Sequence, residues 1–188
     1  MIIAGVDEAG RGPLAGPVVA AAVIIGYGRY PDSKKVSPRK REIIYTEIIG
    51  KAKAVAISVI PPFLIDILNI RIASLLAMRD AVLALSITPE FVLIDGRDTI
   101  PGLKIPQKAI IKGDDSEYCI GAASIIAKVA RDRLMCAYNK LHPDYCFNKH
   151  KGYPTLNHYR FLQEHGATII HRFSFRLGID DSILLREF

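Results

Sequence analysis

The distribution of apolar and polar residues divides the chain into short apolar runs and longer amphipathic stretches. A short apolar run bounded by glycine, proline or charged residues predicts a buried strand, whereas apolar residues repeating every three or four positions predict a helix. Strands are predicted at 1–6, 17–25, 53–60, 91–94 and 108–111. A short glycine-rich loop separates the first two strands, so they are expected to pair antiparallel.

The predicted helices lie between and after these runs. Ser37 followed by Pro38 is a favourable helix start, and this helix is expected to reach about Gly50. Pro61 and Pro62 end the third strand, and two helical stretches follow. The second of them carries core residues at helical spacing, namely Leu75, Met78, Val82 and Leu85. Further helices are predicted at 117–141 and 155–165. Strands alternating with helices indicate a single domain of the α/β class.

The composition indicates a sizeable apolar core and a moderate positive charge. Half of the 188 residues are hydrophobic, but no apolar run reaches the length of a membrane span, and the basic start of a signal peptide is missing. Three cysteines, an odd number without disulfide-framework spacing, fit a reducing compartment. The net charge of +6 favours polyanionic partners. We therefore expect a cytoplasmic monomer that has no membrane partner.

Four acidic residues are the candidate chemistry of the chain. Asp7 and Glu8 follow the first apolar run, Asp95 follows the fourth, and Asp114 lies just after the fifth. Acids at the ends of neighbouring strands in an open α/β sheet can converge at one edge. Carboxylates without sulfur ligands favour Mg²⁺ or Mn²⁺, and two such ions can activate a water and stabilise the leaving oxygen of a phosphodiester. Because consecutive strand residues face opposite ways, Asp7 and Glu8 can share an ion only if the backbone or a rotamer adjusts.

The residues after the first acid pair form a candidate anion-binding loop. Gly10 and Gly12 have no Cβ, so the backbone there can approach a ligand closely and present N–H groups to a phosphate. Arg11 lies between them and adds a permanent cation. An acid pair before glycines is also an ordinary turn sequence, so this interpretation depends on other stretches of the chain.

Two further groups of polar residues have both a structural and a functional interpretation. Lys34 and Lys35 lie in a long polar turn, where they are either solvated or in contact with phosphate. Ser124, Lys128 and Arg131 share one face of the long predicted helix, which begins beside the last of the four acids. That face is either solvated surface or a contact for substrate phosphate, and the pattern alone does not decide between them.

Two cysteines and two histidines lie close enough in the sequence to raise the question of a zinc site. They are Cys136, His142, Cys146 and His150. Their intervals include no Cys-x-x-Cys pair, and His150 belongs to a different motif described below, so zinc binding is not expected.

Five separated stretches of the chain together resemble ribonuclease HII. They occur in the order of that family along nearly the whole chain, which makes the match specific. The stretches are GVDEAGRGPLAGP at 5–17, DSKK at 32–35, LIDG at 93–96, KGD at 112–114 leading into AASIIAK at 122–128, and HKGYPT at 150–155. The related ribonuclease HIII carries an extra N-terminal domain, whereas the catalytic signature begins here at residue 5, which favours HII. Residues 178–188 match nothing in the family pattern.

The resemblance implies a fold and an activity. The fold would be ribonuclease H-like, a central mixed β-sheet flanked by helices, with a helical C-terminal part from about residue 141. The enzyme would hydrolyse the RNA strand of RNA/DNA hybrids and cut on the 5′ side of ribonucleotides embedded in duplex DNA. The ends produced would be a 3′-hydroxyl and a 5′-phosphate. Its roles would be ribonucleotide excision and RNA primer removal.

The resemblance also implies roles for individual residues. The four metal-binding acids, which would hold two Mg²⁺ or Mn²⁺ ions, correspond to Asp7, Glu8, Asp95 and Asp114. The loop that senses the ribose 2′-hydroxyl corresponds to Gly10, Arg11 and Gly12, and the tyrosine at the RNA–DNA junction to Tyr153. An aromatic ring there can stack on the next sugar. The remaining substrate-binding residues would be Lys34, Lys35, Ser124 and Lys128.

Two other classes of function remain open. A junction resolvase of the same fold would share the acids but would not need a ribose, so the glycine loop and Tyr153 argue against it. A non-catalytic nucleic-acid-binding module is less favoured, because four convergent carboxylates weaken phosphate binding unless metals neutralise them. Cleavage of a DNA duplex containing one ribonucleotide, beside its all-DNA counterpart and an EDTA control, would separate the three classes.

Overall fold

The computed structural model describes residues 1–26, 28, 30, 33 and 36–179, which contain one mixed sheet with helices on both faces. The strands are β1 (Ile3–Ala9), β2 (Val18–Ile24), β3 (Ala54–Ile60), β4 (Phe91–Asp95) and β5 (Gln107–Ile110). The helices are α1 (Pro38–Lys51), α2 (Pro62–Leu68), α3 (Ile70–Leu83), α4 (Gly113–Ser116), α5 (Tyr118–Leu141), α6 (Phe147–His150) and α7 (Leu156–His165). A 3-10 helix (Pro143–Tyr145) precedes α6.

The sheet has the strand order β3-β2-β1-β4-β5. β1 pairs antiparallel with β2, as the sequence predicts, and β2 pairs antiparallel with β3. On its other side β1 is parallel to β4, and β4 is parallel to β5. Val6 pairs with Ile94, so the residues that follow them, Asp7 and Asp95, reach the same edge of the sheet. The expected central mixed sheet flanked by helices is confirmed.

Each face of the sheet is covered by helices with a separate apolar core. On one face, Met78 and Val82 of α3 pack with Val6 of β1, as expected for the apolar stripe on that helix. On the other face, the alanine-rich side of α5 packs closely on β1 and β2. Gly5 allows this close approach, because a Cβ at that position would overlap the backbone of Cys119. The long helix therefore lies directly over the strand that carries the first two acids.

The predicted element boundaries are mostly close to the observed ones, with one difference that matters for the site. The sequence predicts that the first strand ends at Val6, but β1 continues to Ala9 because its ladder with β2 extends past the acids. Asp7 and Glu8 therefore lie inside the strand and face opposite sides of the sheet. The predicted cap of α1 is confirmed, since Ser37 accepts a hydrogen bond from the third residue of the helix. Within the described ranges, no helix combines the length and apolarity needed to cross a bilayer.

The C-terminal helices build a smaller third core beside the loop that follows β1. Phe147 lies at the centre of this core and is completely buried. The loop is attached to it by backbone hydrogen bonds: the Leu14 N–H donates to the Gly152 carbonyl, and the Gly16 N–H donates to the Ile170 carbonyl, both at 2.8 Å. This core therefore restricts the position of the loop.

Candidate active site

Three acidic side chains influence one another where β1 and β4 approach the same sheet edge. Asp7 faces α5 and is 5% exposed, Glu8 lies on the opposite face of β1, and Asp95 is the last residue of β4. Burial raises the pKa of Asp7 well above its usual range, and the charges of Glu8 and Asp95 raise it further. Burial also raises the pKa of Glu8, although Arg11 opposes that shift. Ionised carboxylates penalised in this way are stabilised by a cation.

Glu8 has one paired and one unpaired carboxylate oxygen. Its Oε1 lies 3.3 Å from Nη1 of Arg11. Its Oε2 is buried and has no hydrogen-bond partner among the residues that the structure describes. A buried acceptor without a partner is uncommon in folded proteins and calls for a ligand such as an ion or a water. This oxygen is the most specific sign that a cation belongs at the site.

Asp114 approaches the other acids through the short helix α4. The Oδ1 atom of Asp95 accepts a hydrogen bond from the Gly113 N–H at 2.8 Å, which joins the end of β4 to the first turn of that helix. Asp114 follows directly in the chain and is buried. This hydrogen bond therefore holds Asp114, the residue after Gly113, close to Asp95.

The donor set fits a hard divalent cation, although the side chains do not yet enclose one. The four acids predicted as ligands offer only carboxylate oxygens, the donors that Mg²⁺ and Mn²⁺ prefer, and Glu8 Oε2 is buried and unpaired. Among the described residues, no three acidic, histidine or cysteine side chains lie close enough to hold a metal ion. An ion held by one or two of these carboxylates would complete its coordination with water.

Two of the residues considered for zinc, His150 and Cys136, make other contacts. The ring of His150 stacks on that of His158 with centroids 4.4 Å apart, and its Nε2 lies 2.7 Å from the Tyr145 carbonyl oxygen. Cys136 is exposed on α5, where Nζ of Lys151 lies 3.3 Å from its sulfur. These contacts assign His150 to packing in the C-terminal core.

Residues 10–17, which we call the recognition loop, follow the acids on β1. Gly10 has a φ of 99°, and a Cβ there would overlap the side chain of Arg131, so glycine is required for structural reasons. Gly12 is exposed, and a Cβ added to it would have its nearest contact at 3.8 Å, on the ring of Tyr153. Gly12 and Tyr153 therefore form adjoining parts of the accessible surface.

The backbone of Tyr153 is fixed while its ring remains accessible. Its N–H donates to the His150 carbonyl at 2.9 Å, and its carbonyl accepts from Nδ1 of His158 at 3.0 Å. The residue is 40% exposed, and Nζ of Lys128 and Cζ of Arg131 each lie 5.9 Å from the ring centroid. An exposed ring with cations beside it is suited to stacking on a nucleotide.

Two of the predicted substrate-binding stretches contribute buried contacts near Asp7. Ser124 is 4% exposed, its Oγ lies 3.0 Å from Oγ of Ser33, and its hydroxyl also hydrogen-bonds to Asp7. The direct contacts of Ser124 are therefore with the acid and with the polar turn. Lys34 and Lys35, the cations predicted to bind substrate from that turn, lie outside the described residues.

Lys128 and Arg131, which the sequence places on the same helix face, have different environments. Lys128 is partly buried, with Nζ 2.6 Å from Oδ1 of Asp132. Arg131 is completely buried, and its guanidinium donates to backbone carbonyls. The acceptors, at 2.9, 3.1 and 3.0 Å, are Pro17, Ala15 and Lys151. Both interpretations left open for Arg131 are wrong, because the side chain is buried rather than solvated and its donors bond carbonyls inside the fold rather than phosphate.

A second buried arginine, Arg172, is missed by sequence reasoning. It lies in a basic and aromatic segment near the C-terminus, and its guanidinium donates to three carbonyls of the recognition loop. The one feature of the sequence that could have drawn attention to Arg172 is the aromatic residue beside it. That feature does not distinguish a buried arginine from a solvated one.

A wide basic groove lies between α1 and α5, and Lys128 is one of the residues that line it. The groove has a volume of about 770 Å³ and is lined by seven basic and two acidic residues. The two acids each pair with basic neighbours: Asp132 with Arg41 and Lys128, and Glu42 with Arg133. The remaining positive charge suits a polyanion such as a nucleic acid backbone.

A five-stranded mixed sheet with acids at the edge shared by two parallel strands and helices on both faces defines a ribonuclease H-like protein. The family model for ribonuclease HII matches residues 4–177. The chain is 49% identical over 181 residues to the ribonuclease HII of Caldicellulosiruptor saccharolyticus, covering 94% of this chain and 88% of that protein. It is 50% identical over 193 residues to that of Thermotoga petrophila, covering 100% and 79%. The chain belongs to the ribonuclease HII family of enzymes, which confirms the resemblance found in the sequence.

Solved structures agree with this assignment. Ribonuclease H2 from Pyrococcus horikoshii OT3 is 25% identical with a TM-score of 0.80, covering 98% of this chain and 97% of that one. Ribonuclease HII from Archaeoglobus fulgidus, solved in complex with PCNA, is 25% identical with a TM-score of 0.76, covering 93% and 95%. Bst-RNase HIII, solved in complex with Mn²⁺, shares the fold with a TM-score of 0.64 at 17% identity, covering 94% and 68%.

Proposed function

We propose that the protein is a metal-dependent endonuclease that hydrolyses the RNA strand of RNA/DNA hybrids and cuts on the 5′ side of ribonucleotides embedded in duplex DNA. Its products are a 3′-hydroxyl and a 5′-phosphate. The observation that carries this proposal is the proximity of Asp7, Glu8 and Asp95, with one buried carboxylate oxygen unpaired, at the start of the recognition loop. Membership of the ribonuclease HII family supports it.

Asp7, Glu8, Asp95 and Asp114 are the residues that would hold Mg²⁺ or Mn²⁺. Their carboxylates are hard oxygen donors, and burial and the charges of neighbouring acids raise the pKa of Asp7 and Glu8, so the ionised forms of these two are costly without a cation. When bound, such ions supply a nucleophilic water at neutral pH and neutralise charge on the leaving oxygen. The protein contributes a rigid sheet edge that holds the acids, and Ser124 and Gly113 orient Asp7 and Asp95 by hydrogen bonds.

The recognition loop and Tyr153 are proposed to select the ribonucleotide. Gly10, Arg11 and Gly12 present backbone groups that can bond the 2′-hydroxyl, which is both donor and acceptor and distinguishes RNA from DNA. The exposed ring of Tyr153 lies next to Gly12, so it can stack against the following sugar. Lys34, Lys35 and Lys128 are proposed to bind the phosphates that flank the ribonucleotide, and Ser124 to contact the substrate beside them. The protein is proposed to act as a cytoplasmic monomer.

Asp7→Asn tests the function and the metal ligands together. We expect loss of at least about a hundredfold in kcat on a duplex with one ribonucleotide, because a metal ligand acts mainly on the chemical step. Affinity for the uncleaved duplex should remain within about twofold, since basic groups position the backbone. Asp80→Asn is the matched control, because Asp80 is a partly exposed acid on α3 that pairs with its neighbour Arg79.

Three substrates complete the experiment. The wild-type protein should cut the duplex containing one ribonucleotide, leave the all-DNA duplex intact, and lose activity in EDTA. Cleavage of the all-DNA duplex would favour a junction resolvase or another nuclease, and binding without cleavage would favour a non-catalytic module. Activity of Asp7→Asn within about tenfold of wild type would reject the assignment of that residue.

A further inference from the structure

Arg172 makes all of its side-chain hydrogen bonds to the backbone of the recognition loop. Its Nε donates to the Gly16 carbonyl at 2.9 Å, one Nη donates to the Arg11 carbonyl at 3.0 Å, and the other donates to the Gly10 carbonyl at 2.6 Å. The side chain is completely buried. The planar, forked guanidinium can bridge carbonyls at both ends of the loop at once, which an ammonium cannot do.

These bonds determine which way two peptide groups face. In a trans peptide the C=O and the N–H point in opposite directions. The carbonyl of Gly10 shares a peptide group with the N–H of Arg11, and the carbonyl of Arg11 shares one with the N–H of Gly12. Because Arg172 draws both carbonyls inward, it turns both N–H groups toward the surface. Two successive N–H groups facing outward form a binding site for an anion or a hydroxyl oxygen.

The segment that carries Arg172 is itself firmly attached to the fold. Carboxylate oxygens of Asp66 on α2 accept from the N–H of Phe173 at 3.0 Å and from the N–H and hydroxyl of Ser174. On the other side, the ring of His171 bonds to Nε2 of His158 at 3.0 Å. The segment that carries the guanidinium is therefore held by contacts outside the loop, in addition to its backbone hydrogen bonds with Leu14 and Gly16 of the loop.

We propose that Arg172 is a positioning residue for ribonucleotide recognition, which rests on the function proposed above. Arg131 also supports the loop, through the carbonyls of Ala15 and Pro17 on either side of Gly16, so both buried arginines hold its C-terminal part. Arg172, unlike Arg131, hydrogen-bonds to the carbonyls of Gly10 and Arg11, which lie behind the N–H groups of Arg11 and Gly12. Its loss should therefore impair the sensing of the 2′-hydroxyl before it impairs general binding of DNA.

Arg172→Lys tests this role, because lysine keeps the charge but cannot bridge the carbonyls. On a duplex with one ribonucleotide we expect kcat/KM to fall by at least about tenfold, chiefly through a rise in KM, because ground-state recognition is weakened. The dissociation constant for the all-DNA duplex should stay within about twofold of wild type, since phosphate contacts are unchanged. Tyr145→Phe is the matched control, because it removes a buried hydrogen bond to the Gly166 carbonyl in the same core and leaves the hydrogen bonds of Arg172 to the loop in place. It should leave KM unchanged.

Two results would overturn the proposal. One is a folded Arg172→Lys protein whose kcat/KM is within about twofold of wild type. The other is a fall in kcat with KM unchanged, which would mean fewer active molecules and a merely structural role. If Arg172→Lys does not fold, Asp66→Asn loosens the same segment and should raise KM; an unchanged KM would then reject the role. Failure of wild type to cut the ribonucleotide duplex would instead reject the proposed function.

Discussion

The Asp95 carboxylate accepts a hydrogen bond from the Gly113 N–H, with 2.8 Å between Oδ1 and the nitrogen. The same carboxylate raises the pKa of Asp7, although burial is the larger cause of that shift. Asp95 therefore has two opposing effects on stability: its hydrogen bond stabilises the junction of β4 and α4, whereas its charge repels the neighbouring acids when no metal is bound. Substitutions can separate the two effects.

Asp95→Asn should melt higher than wild type in EDTA at neutral pH. Asparagine removes the repulsive charge but keeps an oxygen for the Gly113 N–H, so we expect a gain of about 1 kcal/mol, or about 2–4 °C in Tm. Asp95→Ala should fall below Asp95→Asn by about 1–3 kcal/mol, because the N–H loses its acceptor. Added Mg²⁺ should narrow the gap between Asp95→Asn and wild type, since wild type binds the ion better. An Asp95→Asn variant melting no higher than wild type, with an intact circular dichroism spectrum, would contradict the repulsion.

Gly10→Ala should act mainly on stability, whereas Gly12→Ala should act mainly on cleavage activity. Gly10→Ala strains a positive-φ position and overlaps Arg131, so it should cost about 1–3 kcal/mol of stability. Gly12→Ala has room for its methyl group, so stability should change by no more than about 0.5 kcal/mol. Its kcat/KM on a ribonucleotide duplex should nevertheless fall by about tenfold or more, because the methyl group blocks close approach of the substrate. Thermal melts and cleavage assays on both variants measure this, and full activity of Gly12→Ala would remove Gly12 from the recognition surface.

Tyr153→Ala should weaken cleavage at a single ribonucleotide by about 1–3 kcal/mol in kcat/KM, the usual worth of an aromatic stack on nucleic acid. Tyr153→Phe should retain most of the activity, because it keeps the ring and the backbone bonds to His150 and His158. If the Phe and Ala variants were equally impaired, the hydroxyl rather than the ring would be the important group.

The buried histidines should make the protein less stable in mild acid. Burial lowers the pKa of His158 to about 4 and that of His171 to about 3, each further lowered by neighbouring histidines. The unfolded chain takes up protons below about pH 6.5 while these folded side chains stay neutral, so the free energy of unfolding should fall as pH drops below that value. Each histidine should lower the free energy of unfolding by at most about 1.4 kcal/mol for each unit of pH decrease.

Urea unfolding of His158→Gln in EDTA, between about pH 4.5 and pH 7.5, measures this dependence. The variant should show a shallower loss of stability with falling pH than wild type, because one titrating group is gone. Phe147→Leu is the control: it should lower stability through imperfect packing while keeping the wild-type slope. Equal slopes for His158→Gln and wild type would show that His158 does not remain neutral in the folded protein.

The sequence by itself determined the α/β class, the order of strands and helices, and the family. Short-range patterns are sufficient for this: apolar runs define the strands, Ser37 marks a helix start, and the glycine at position 10 follows from a backbone shape that other residues rarely adopt. The acids were recognisable as candidates because Asp7 follows an apolar run and comes shortly before a glycine-rich loop, and Asp95 follows another apolar run and directly precedes Gly96.

Only the tertiary structure decided which polar residues are accessible at the surface and which are buried in support of the fold. Arg131 and Lys128 lie on the same predicted helix face as Ser124, yet Arg131 is buried against carbonyls, because burial depends on what packs over a helix face. Arg172 reaches the recognition loop across 162 residues of sequence, as its bond to the Gly10 carbonyl shows. Such contacts depend on how β1, α2 and the C-terminal core meet in space, and no local pattern in the sequence specifies them.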